Sequence, residues 1–430
     1  MAGLFYTLAI HALLPWAVLH LLWRARRQPE YLRHWTERFG LHAGTPPPAP
    51  LIWIHAVSVG ETRAAQPLVA ALRARHPDHR ILFTHMTPTG RATSEALFGD
   101  TVERIYLPYD TPWAMRRFLE HFRPTLGLIM ETELWPNLIA ACRTQGIPLL
   151  LVNARLSEKS ARRYRRFPAL ARTALADLSA IAAIAAEDAQ RLRSLGAGEV
   201  AVFGSMKFDI DPPVAQLELG RTFRARIGAR SVFLCASTRE GEEALLLDAW
   251  QKKVSAGGTA AQSAAPLLVL VPRHPQRFDA VAKLVETRGL ALQRRSDDAP
   301  LAAATQVWLG DSMGEMFAYY AMTDVACIGG SLLDFGSQNL IEPCAVGVPV
   351  IVGPSTFNFA EVARAALEAG AACQVPDAET AVAEALGLLE DAARRQAMAV
   401  AGREFSARHR GATQRTLALI ERFMPPPGRP

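Results

Sequence analysis

The sequence Gly329-Gly-Ser-Leu-Leu-Asp-Phe-Gly-Ser-Gln-Asn-Leu-Ile-Glu-Pro-Cys-Ala-Val-Gly-Val-Pro-Val-Ile-Val-Gly-Pro354 joins a glycine loop, a helix and a strand. The apolar run Val325–Ile328 enters the paired glycines, and a helix-like run follows from about Asn339 to Val346. A second apolar run then ends at Val352. Strand–loop–helix–strand units of this kind build parallel sheets, so the stretch predicts an α/β fold.

The glycine loop of this unit is a candidate ligand site. Ligands of open α/β sheets bind beyond the carboxyl ends of the strands, where glycines let backbone N–H groups approach a phosphate. Glu342, early in the following helix, is poorly placed for a phosphate but well placed for ribose hydroxyl groups. The alternative is a glycine-rich turn with a solvated glutamate, because such loops are common in α/β folds.

Length and composition indicate a folded protein of two domains. The chain has 430 residues, of which 50% are hydrophobic and 20% are charged,. Its net charge of +6 suits an anionic partner such as a nucleotide, a phospholipid or a nucleic acid,. The scattered cysteines form no C-x-x-C pair, so neither a disulfide framework nor a metal site is predicted. They are Cys142, Cys235, Cys327, Cys344 and Cys373.

The amino terminus is apolar enough to enter a membrane. Ala2–Trp23 contains no Asp, Glu, Lys or Arg, and a bilayer-spanning helix needs ~20 apolar residues,. Arg24-Ala-Arg-Arg27 follows, so the positive-inside rule places the rest of the chain in the cytoplasm,. We predict an uncleaved anchor over residues 1–25. Two histidines and a proline within it leave an interfacial helix in one leaflet as the alternative.

Strand and helix patterns alternate through both halves of the chain, which predicts two α/β domains. We place these at residues 26–212 and 213–424, with a terminal helix that crosses back to the first domain and a low-complexity loop at 255–265. Strands are predicted at Leu51–Val57, Ile81–Thr84, Thr125–Met130, Pro148–Val152, Ala180–Ile184, Ser231–Ala236, Leu267–Val271, Gln306–Leu309, Val325–Ile328 and Val350–Val352.

Charged residues follow several of these strands. Glu61 starts a helix after the first strand, where it either complements the helix dipole or serves as a general base,. Glu131 and Glu133 follow the third strand, and Arg273 and His274 follow a strand of the second half. Because strand ends meet at one side of a parallel sheet, these side chains are site candidates.

Three further segments have two interpretations each. The basic run from Arg155 to Arg166 either grips the phosphates of a large anionic acceptor or forms a solvated helix face,. The amides of Gly310–Met316 are expected to begin a helix, with Asp311 as a possible cap,. Asp209-Ile-Asp211 matches the D-x-D spelling of metal-dependent sugar transferases, but a lone match beside a proline turn is rejected.

Several blocks together resemble the Kdo transferases of Gram-negative bacteria, which add 3-deoxy-D-manno-octulosonic acid (Kdo) to lipid A precursor. The resemblance covers about residues 5 to 420. The blocks are His55-Ala-Val-Ser-Val-Gly-Glu61, Glu131-Thr-Glu-Leu-Trp-Pro-Asn137, Asn153-Ala-Arg-Leu-Ser-Glu-Lys-Ser160, Lys207-Phe-Asp209, Pro272-Arg-His274, Gly310-Asp-Ser-Met-Gly-Glu315, Gly329-Gly-Ser331, Asn339, Glu342-Pro343, Gly353-Pro354 and Phe357-Asn-Phe359.

The resemblance implies a GT-B glycosyltransferase: two Rossmann-like domains facing a cleft, with a single membrane-anchoring helix. It implies an inverting transfer from CMP-Kdo to lipid A precursor, without cofactor or metal, on the cytoplasmic side of the inner membrane. An anionic lipid surface is an expected partner, and nucleic acid is not. The implied catalytic positions are Glu61, Glu131 and Lys207, and the implied substrate-binding positions are Arg273, His274, Ser312, Met313, Gly314, Glu315, Ser331, Asn339 and Glu342.

Two positions depart from the family pattern. The loop before Asn339 usually reads Gly-Gly-His-Asn or Gly-Gly-Gln-Asn, but here it is Gly336-Ser-Gln-Asn339, and the usual Gly-Pro-His is Gly353-Pro-Ser355. Histidine contacts are therefore not expected there. Two other functions remain open: a GT-B transferase with a different nucleotide sugar, and a non-catalytic, membrane-tethered nucleotide-binding protein.

Overall fold

The computed structural model describes residues 2–45, 47–256 and 265–424. The chain forms two compact units, Met1–Asp209 with His409–Pro430, and Ile210–Arg408. The division therefore lies three residues before the predicted boundary, and the segment from His409 belongs to the first unit. Most of the predicted loop at 255–265 lies outside the described residues.

The first unit is built on a parallel sheet of seven strands in the order β3-β2-β1-β4-β5-β6-β7. Its strands are β1 (Leu51–His55), β2 (Arg80–His85), β3 (Glu103–Tyr106), β4 (Leu126–Met130), β5 (Leu149–Ala154), β6 (Ala180–Ala183) and β7 (Val200–Val202). Its helices are α1 (Ala2–Ala25), α2 (Val59–Ala64), α3 (Gln66–Arg75), α4 (Pro88–Phe98), α5 (Pro112–Phe122), α6 (Pro136–Thr144), α7 (Glu158–Tyr164), α8 (Pro168–Ala176) and α9 (Ala186–Ser194).

The second unit repeats this architecture with the order β10-β11-β9-β8-β12-β13-β14. Its strands are β8 (Val232–Thr238), β9 (Leu267–Pro272), β10 (Leu292–Arg294), β11 (Val307–Leu309), β12 (Val325–Ile328), β13 (Val350–Val352) and β14 (Ala372–Gln374). Its helices are α10 (Val214–Ile227), α11 (Glu242–Ala256), α12 (Phe278–Glu286), α13 (Met316–Met322), α14 (Ile341–Val346), α15 (Ala360–Glu368), α16 (Ala378–Glu390) and α17 (Ala392–Arg408).

Short 3₁₀ turns and one returning helix complete the chain. The turns are Pro29–Leu32, Trp35–Phe39, Gly99–Thr101, Met206–Phe208, Pro275–Arg277 and Arg295–Asp297, and the helix is α18 (Ala412–Glu421) in the first unit. Both carboxylate oxygens of Asp209 accept hydrogen bonds at the start of α18, from the N–H groups of Gly411 and Thr413, at 2.5 Å each. The first aspartate of the D-x-D match is therefore a helix cap.

The sheets are buried on both faces, which explains the continuous apolar runs of the sequence. Along β1, Leu51 and Trp53 pack in one core cluster, and Ile52 and Ile54 pack in another on the opposite face. The two strand orders each reverse direction once, between β1 and β4 and between β8 and β12. Such switch points are where α/β sheets open a crevice for ligands.

The helical segment that follows β1 is divided into two helices. α2 ends at Ala64, and Pro67 lies in the first turn of α3. Proline has no N–H to donate, so it fits the start of a helix and not its interior.

Candidate functional site

The switch point of the first unit gathers the predicted carboxylates. β1 and β4 are hydrogen-bonded neighbours, with His55 beside Ile129. Glu61 follows β1 and Glu131 follows β4, so both lie where the two strands end. Each is close enough to the other for their charges to interact.

Glu61 is held by the loop that precedes it. Its Oε2 accepts a hydrogen bond from the Val57 N–H at 2.6 Å, and its Oε1 accepts one from the Ser58 hydroxyl at 2.8 Å. The Ser58 Oγ in turn accepts from the Glu61 N–H and caps α2, a reciprocal arrangement of the capping-box type,. Both of the predicted roles, helix cap and carboxylate at a strand end, are therefore compatible with its position.

Burial changes the acidity of Glu61. Only 8% of the surface of Glu61 is exposed. This burial raises the pKa of Glu61 to about 7, although the hydrogen bonds from Val57 and Ser58 oppose the increase. The nearby charges of Glu131 and Glu133 contribute to the same increase, and the value of about 7 includes their effect. A carboxyl group with a pKa near 7 is suited to general-base chemistry at neutral pH.

Glu131 occupies a strained backbone conformation at the end of β4. Its φ is +58°, a left-handed value that is costly for a residue with a Cβ,. Its Oε1 lies 3.3 Å from Lys207 Nζ, and both side chains are partly exposed. The structure therefore brings together all three predicted catalytic positions, Glu61, Glu131 and Lys207, in one unit.

Two buried polar groups that were not predicted as site residues lie beside them. Asn153 has a φ of +52°, and its Oδ1 accepts from the Met206 N–H at 3.0 Å. Its Nδ2 and the Nε2 of His55 are buried and have no hydrogen-bond partner among the described residues. Burial lowers the pKa of His55 to about 3, with a smaller contribution from His85, so the ring is neutral. Unsatisfied buried groups at strand ends are candidate ligand contacts.

The switch point of the second unit holds the paired glycines. Gly329 follows β12 directly, and a Cβ at this position would collide with the backbone of Ser237. The buried carboxylate of Glu242 accepts hydrogen bonds from the N–H groups of Gly330 at 2.6 Å and Leu332 at 3.0 Å. It also accepts one from Arg239 N–H at 2.8 Å. Glu242 therefore fixes the glycine loop. This role of Glu242 was not predicted from the sequence.

Ser331 has a structural position in this loop. It is fully buried, its hydroxyl donates to the Ile328 carbonyl, and its Oγ accepts from Gly353 N–H at 2.8 Å. The hydroxyl thereby links the ends of β12 and β13. Its predicted contact with substrate stays a prediction.

Arg273 and His274 lie just beyond β9. Arg273 Nε donates to Gln338 Oε1 at 3.2 Å, so the loop after β12 helps to orient the guanidinium. Partial burial lowers the pKa of His274, and the cations of Arg239, Arg273 and Arg277 lower it further. This cluster of positive charge suits a phosphate.

The loop from Gly310 to Glu315 does not begin a helix as predicted, because α13 starts only at Met316. Asp311 does not cap that helix: it accepts hydrogen bonds from the Ser296 N–H and hydroxyl. Ser312 Oγ donates to Glu315 Oε2 at 2.6 Å. Met313 is 54% exposed, and Gly314 has a φ of +80°. Residues Ser312–Glu315 therefore form a turn before α13 and are not part of the helix.

Asn339 and Glu342 are brought together at the start of α14. Asn339 Nδ2 donates to Glu342 Oε1 at 3.0 Å, and Asn339 Oδ1 accepts from Ile341 N–H. Glu342 lies in the first turn of a helix that begins at Ile341. The pair therefore lies where the loop after β12 enters α14.

A cavity of about 570 Å³ lies elsewhere, along the edge strand β3 of the first unit. Its lining includes Glu37, Arg80, Arg91 and Arg104. None of the predicted site residues lines this cavity, so it is not the candidate site.

Comparisons with known proteins show the family of this chain. A family model described as 3-deoxy-D-manno-octulosonic-acid transferase matches residues 33–210, and one described as glycosyl transferases group 1 matches residues 289–405. A 3-deoxy-D-manno-octulosonic acid transferase of Bordetella pertussis is 48% identical and covers 97% of this chain and 99% of its own. The enzyme of the same name from Haemophilus influenzae is 38% identical, with 93% of each chain covered.

This chain belongs to the 3-deoxy-D-manno-octulosonic acid transferase family. The resemblance drawn from the sequence blocks is thereby confirmed, and the protein is a glycosyltransferase.

Solved structures confirm the α/β glycosyltransferase fold. A glycosyltransferase from Rickettsia africae has a TM-score of 0.57 at 12% identity and covers 88% of this chain and 99% of its own. A UDP-GlcNAc 2-epimerase from Neisseria meningitidis has a TM-score of 0.56 at 16% identity, covering 87% of this chain and 100% of its own. Because an epimerase shares the architecture, the fold alone does not identify the reaction.

The two departures from the family pattern have structural consequences. Ser337, where the family usually has glycine, has a φ of +69° and is almost fully buried. Ser355, where it usually has histidine, accepts a hydrogen bond from Gly336 N–H at 3.0 Å. The serines thus take part in holding the loop that leads to Asn339.

Proposed function

We propose that this protein transfers Kdo from CMP-Kdo to a lipid A precursor, with inversion at the anomeric carbon. The observation that carries the proposal is Glu61, a buried carboxyl group with a pKa raised to about 7 at the switch point of the first unit. That the transferred sugar is Kdo is inferred from a relative of this name that is 48% identical along nearly the whole chain.

In this proposal, Glu61 is the general base. Transfer to a hydroxyl group requires that its proton leaves as the new bond forms, and a carboxylate within hydrogen-bond distance can accept it. Each Glu61 oxygen accepts one hydrogen bond in the structure and keeps a second lone pair, so the carboxylate can also accept from the acceptor hydroxyl group,. Glu131 and Lys207, which lie 3.3 Å apart, then bind polar groups near the reacting carbon.

The second unit would bind the donor. Departure of CMP creates a phosphate monoester dianion, which fixed cations and backbone N–H groups stabilise before it forms. Arg273 is such a cation, and His274 can donate a hydrogen bond. The N–H groups of Gly329 and Gly330 already donate to the Ala236 carbonyl and to Glu242, so they are not counted among these donors. We include the Ser312–Glu315 turn in the site because of the family pattern. Asn339 and Glu342 provide an amide and a carboxylate for the ribose hydroxyl groups. In this proposal the transfer needs no metal ion.

The acceptor is proposed to reach the protein at the cytoplasmic face of the inner membrane. Helix α1 is long and apolar enough to attach the chain to a bilayer. Arg162 and Arg163 on α7 are exposed, and their charges suit the phosphates of a lipid A precursor,.

The test is mass spectrometry of lipid A precursor after incubation with the full chain and freshly made CMP-Kdo. We expect a gain of one or more Kdo units with the wild-type chain and a loss of at least ~100-fold in rate for Glu61→Gln. Glu240→Gln, an exposed change in the other unit, is the matched control and is expected to be active.

Other outcomes would favour the competing functions. Turnover of a UDP-sugar without turnover of CMP-Kdo would indicate a GT-B transferase with a different donor. CMP binding without any transfer, together with normal function of Glu61→Gln in cells, would indicate a non-catalytic nucleotide-binding protein.

A further inference from the structure

Helix α1 is attached to the first unit near both of its ends. Near the amino end, Tyr6 Oη donates to Asp110 Oδ2 at 2.8 Å, and Thr7 Oγ1 donates to Asn137 Oδ1 at 2.8 Å. Near the carboxyl end, Leu21 and Ala25 are buried in a cluster with Tyr31. The helix also contacts α6 and α8.

The attachment continues between the two ends. Ile10, Leu14 and Val18, which recur at helical spacing between the two attachment points, are half-buried,. The rise from Tyr6 to Ala25 is ~29 Å, close to the ~30 Å thickness of the hydrocarbon core of a bilayer. One face of α1 is therefore partly covered by the first unit over a length close to a bilayer's thickness.

The Tyr6–Asp110 contact is incompatible with a helix that crosses the membrane. In a span, Tyr6 and the arginines after α1 would lie on opposite sides of the bilayer, and Asp110 would have to follow Tyr6. Asp110 is buried at the carboxyl end of β3, where it also accepts from the N–H groups of Asn137 and Leu138. Moving Asp110 across the bilayer would break these hydrogen bonds and unfold this part of the first unit.

The opposite face of α1 is apolar and exposed. Trp16 is 62% exposed and Phe5 is 70% exposed. Tryptophan is favoured where a protein meets the headgroup layer, and Arg24, Arg26 and Arg27 supply charge for anionic headgroups,. Other large apolar side chains exposed on the helix are Leu4, Leu8, Leu13, Leu19, Leu22 and Trp23.

We propose that α1 lies in the plane of the membrane surface, within the leaflet next to the globular units, and does not cross the bilayer. Its outer face inserts among the lipids, and its inner face stays on the first unit through Tyr6 and Thr7. The proposal rests on the membrane location proposed above, but not on the transfer reaction.

This orientation has a consequence for the acceptor. Asp110 and Asn137, which hold α1, lie beyond the carboxyl ends of β3 and β4, on the side of the sheet that carries Glu61 and Glu131. The membrane plane is therefore next to the carboxylates. A lipid-linked acceptor can reach Glu61 without its acyl chains leaving the bilayer.

The first test places a single reactive thiol at the start of the helix. Gly3→Cys is treated with a membrane-impermeant maleimide, in inverted inner-membrane vesicles and in intact spheroplasts. We expect labelling in inverted vesicles only, as for the control Ser194→Cys on the exposed surface of α9. The unmodified chain gives the background from its own cysteines. Labelling of Gly3→Cys in spheroplasts only would establish a span and overturn the proposal.

The second test measures depth in vesicles of phosphatidylethanolamine and phosphatidylglycerol. Spin labels are attached singly to Phe5→Cys, Leu8→Cys, Trp16→Cys and Leu19→Cys of the full chain. An in-plane helix gives similar depths at all four positions, whereas a span separates positions 5 and 19 by up to ~21 Å along the membrane normal.

Two results of the depth measurement would overturn the proposal. The first is a depth that changes steadily along the helix. The second is that all four labels stay outside the bilayer while the protein self-associates, in which case a second copy covers this face. Neither test measures transfer, so failure here is distinct from failure of the proposed reaction.

Discussion

Lys207 Nζ lies 3.3 Å from Glu131 Oε1, beside the buried carboxyl group of Glu61. The pair joins the turn after β7 to the end of β4. One consequence is electrostatic: the charge of Glu131 contributes to the raised pKa of Glu61 even though Lys207 lies beside Glu131. A second feature is conformational: the backbone of Glu131 has a left-handed φ of +58° at the point where its side chain meets Lys207.

The first prediction concerns pH. Because the pKa of Glu61 is raised to about 7, the transfer rate should increase as pH rises through about 7, when this base loses its proton. The charges of Glu131 and Glu133 contribute to the high pKa, so Glu131→Gln and Glu133→Gln should each move the acidic limb of the profile to lower pH,. Initial rates of all three chains, normalised to their maxima, test this; a limb that stays fixed or moves upward would contradict it.

The second prediction concerns Glu242, which accepts three backbone hydrogen bonds in the buried glycine loop. Glu242→Gln replaces one acceptor oxygen by an NH₂ group that faces N–H donors. We expect a loss of ~2–4 kcal/mol in unfolding free energy and weaker binding of CMP. Urea denaturation and calorimetric titration measure the two effects. The exposed neighbour Glu240→Gln should change neither, and equal behaviour of the two variants would refute the role of Glu242.

The third prediction concerns Ser337, which has a left-handed φ of +69°. Ser337→Gly removes the strained Cβ, although it also makes the unfolded chain more flexible. We expect a net gain of ~0.5–1 kcal/mol in unfolding free energy. Ser337→Ala, which keeps the Cβ, should give no gain. If thermal unfolding ranks alanine above glycine, backbone strain is not the deciding factor at this position.

The fourth prediction concerns Asp209 at the start of α18. Asp209→Ala removes the acceptors for Gly411 and Thr413, so we expect a loss of ~1–2 kcal/mol in stability, with a smaller loss for Asp209→Asn,. Added Mn²⁺ should not alter the unfolding of any of these chains. A large stabilisation of wild type by Mn²⁺, abolished in Asp209→Ala, would instead support the D-x-D interpretation.

The sequence alone determined the fold class and the central strands. Apolar runs such as Leu51–His55 are buried on both faces of a parallel sheet, and this burial leaves a strong signal in the sequence,. The four strands it did not predict are β3, β7, β10 and β14, which are the four edge strands and have only three or four residues each. The central strands β11 and β13 are equally short but fully buried, and the sequence predicted them. The edge strands are only partly buried, so their apolar signal is weaker,.

The candidate carboxylates were also recognisable from sequence, because Glu61 and Glu131 follow predicted strands and strand ends converge. Only the tertiary structure decided their chemistry: the raised pKa of Glu61 comes from burial and from Glu131 and Glu133, about seventy residues away in the chain. The same holds for Glu242, whose partners Gly330 and Leu332 are distant in sequence. Composition showed that α1 is apolar, but its orientation depends on Tyr6 and Asp110, a contact that exists only when the first unit is folded.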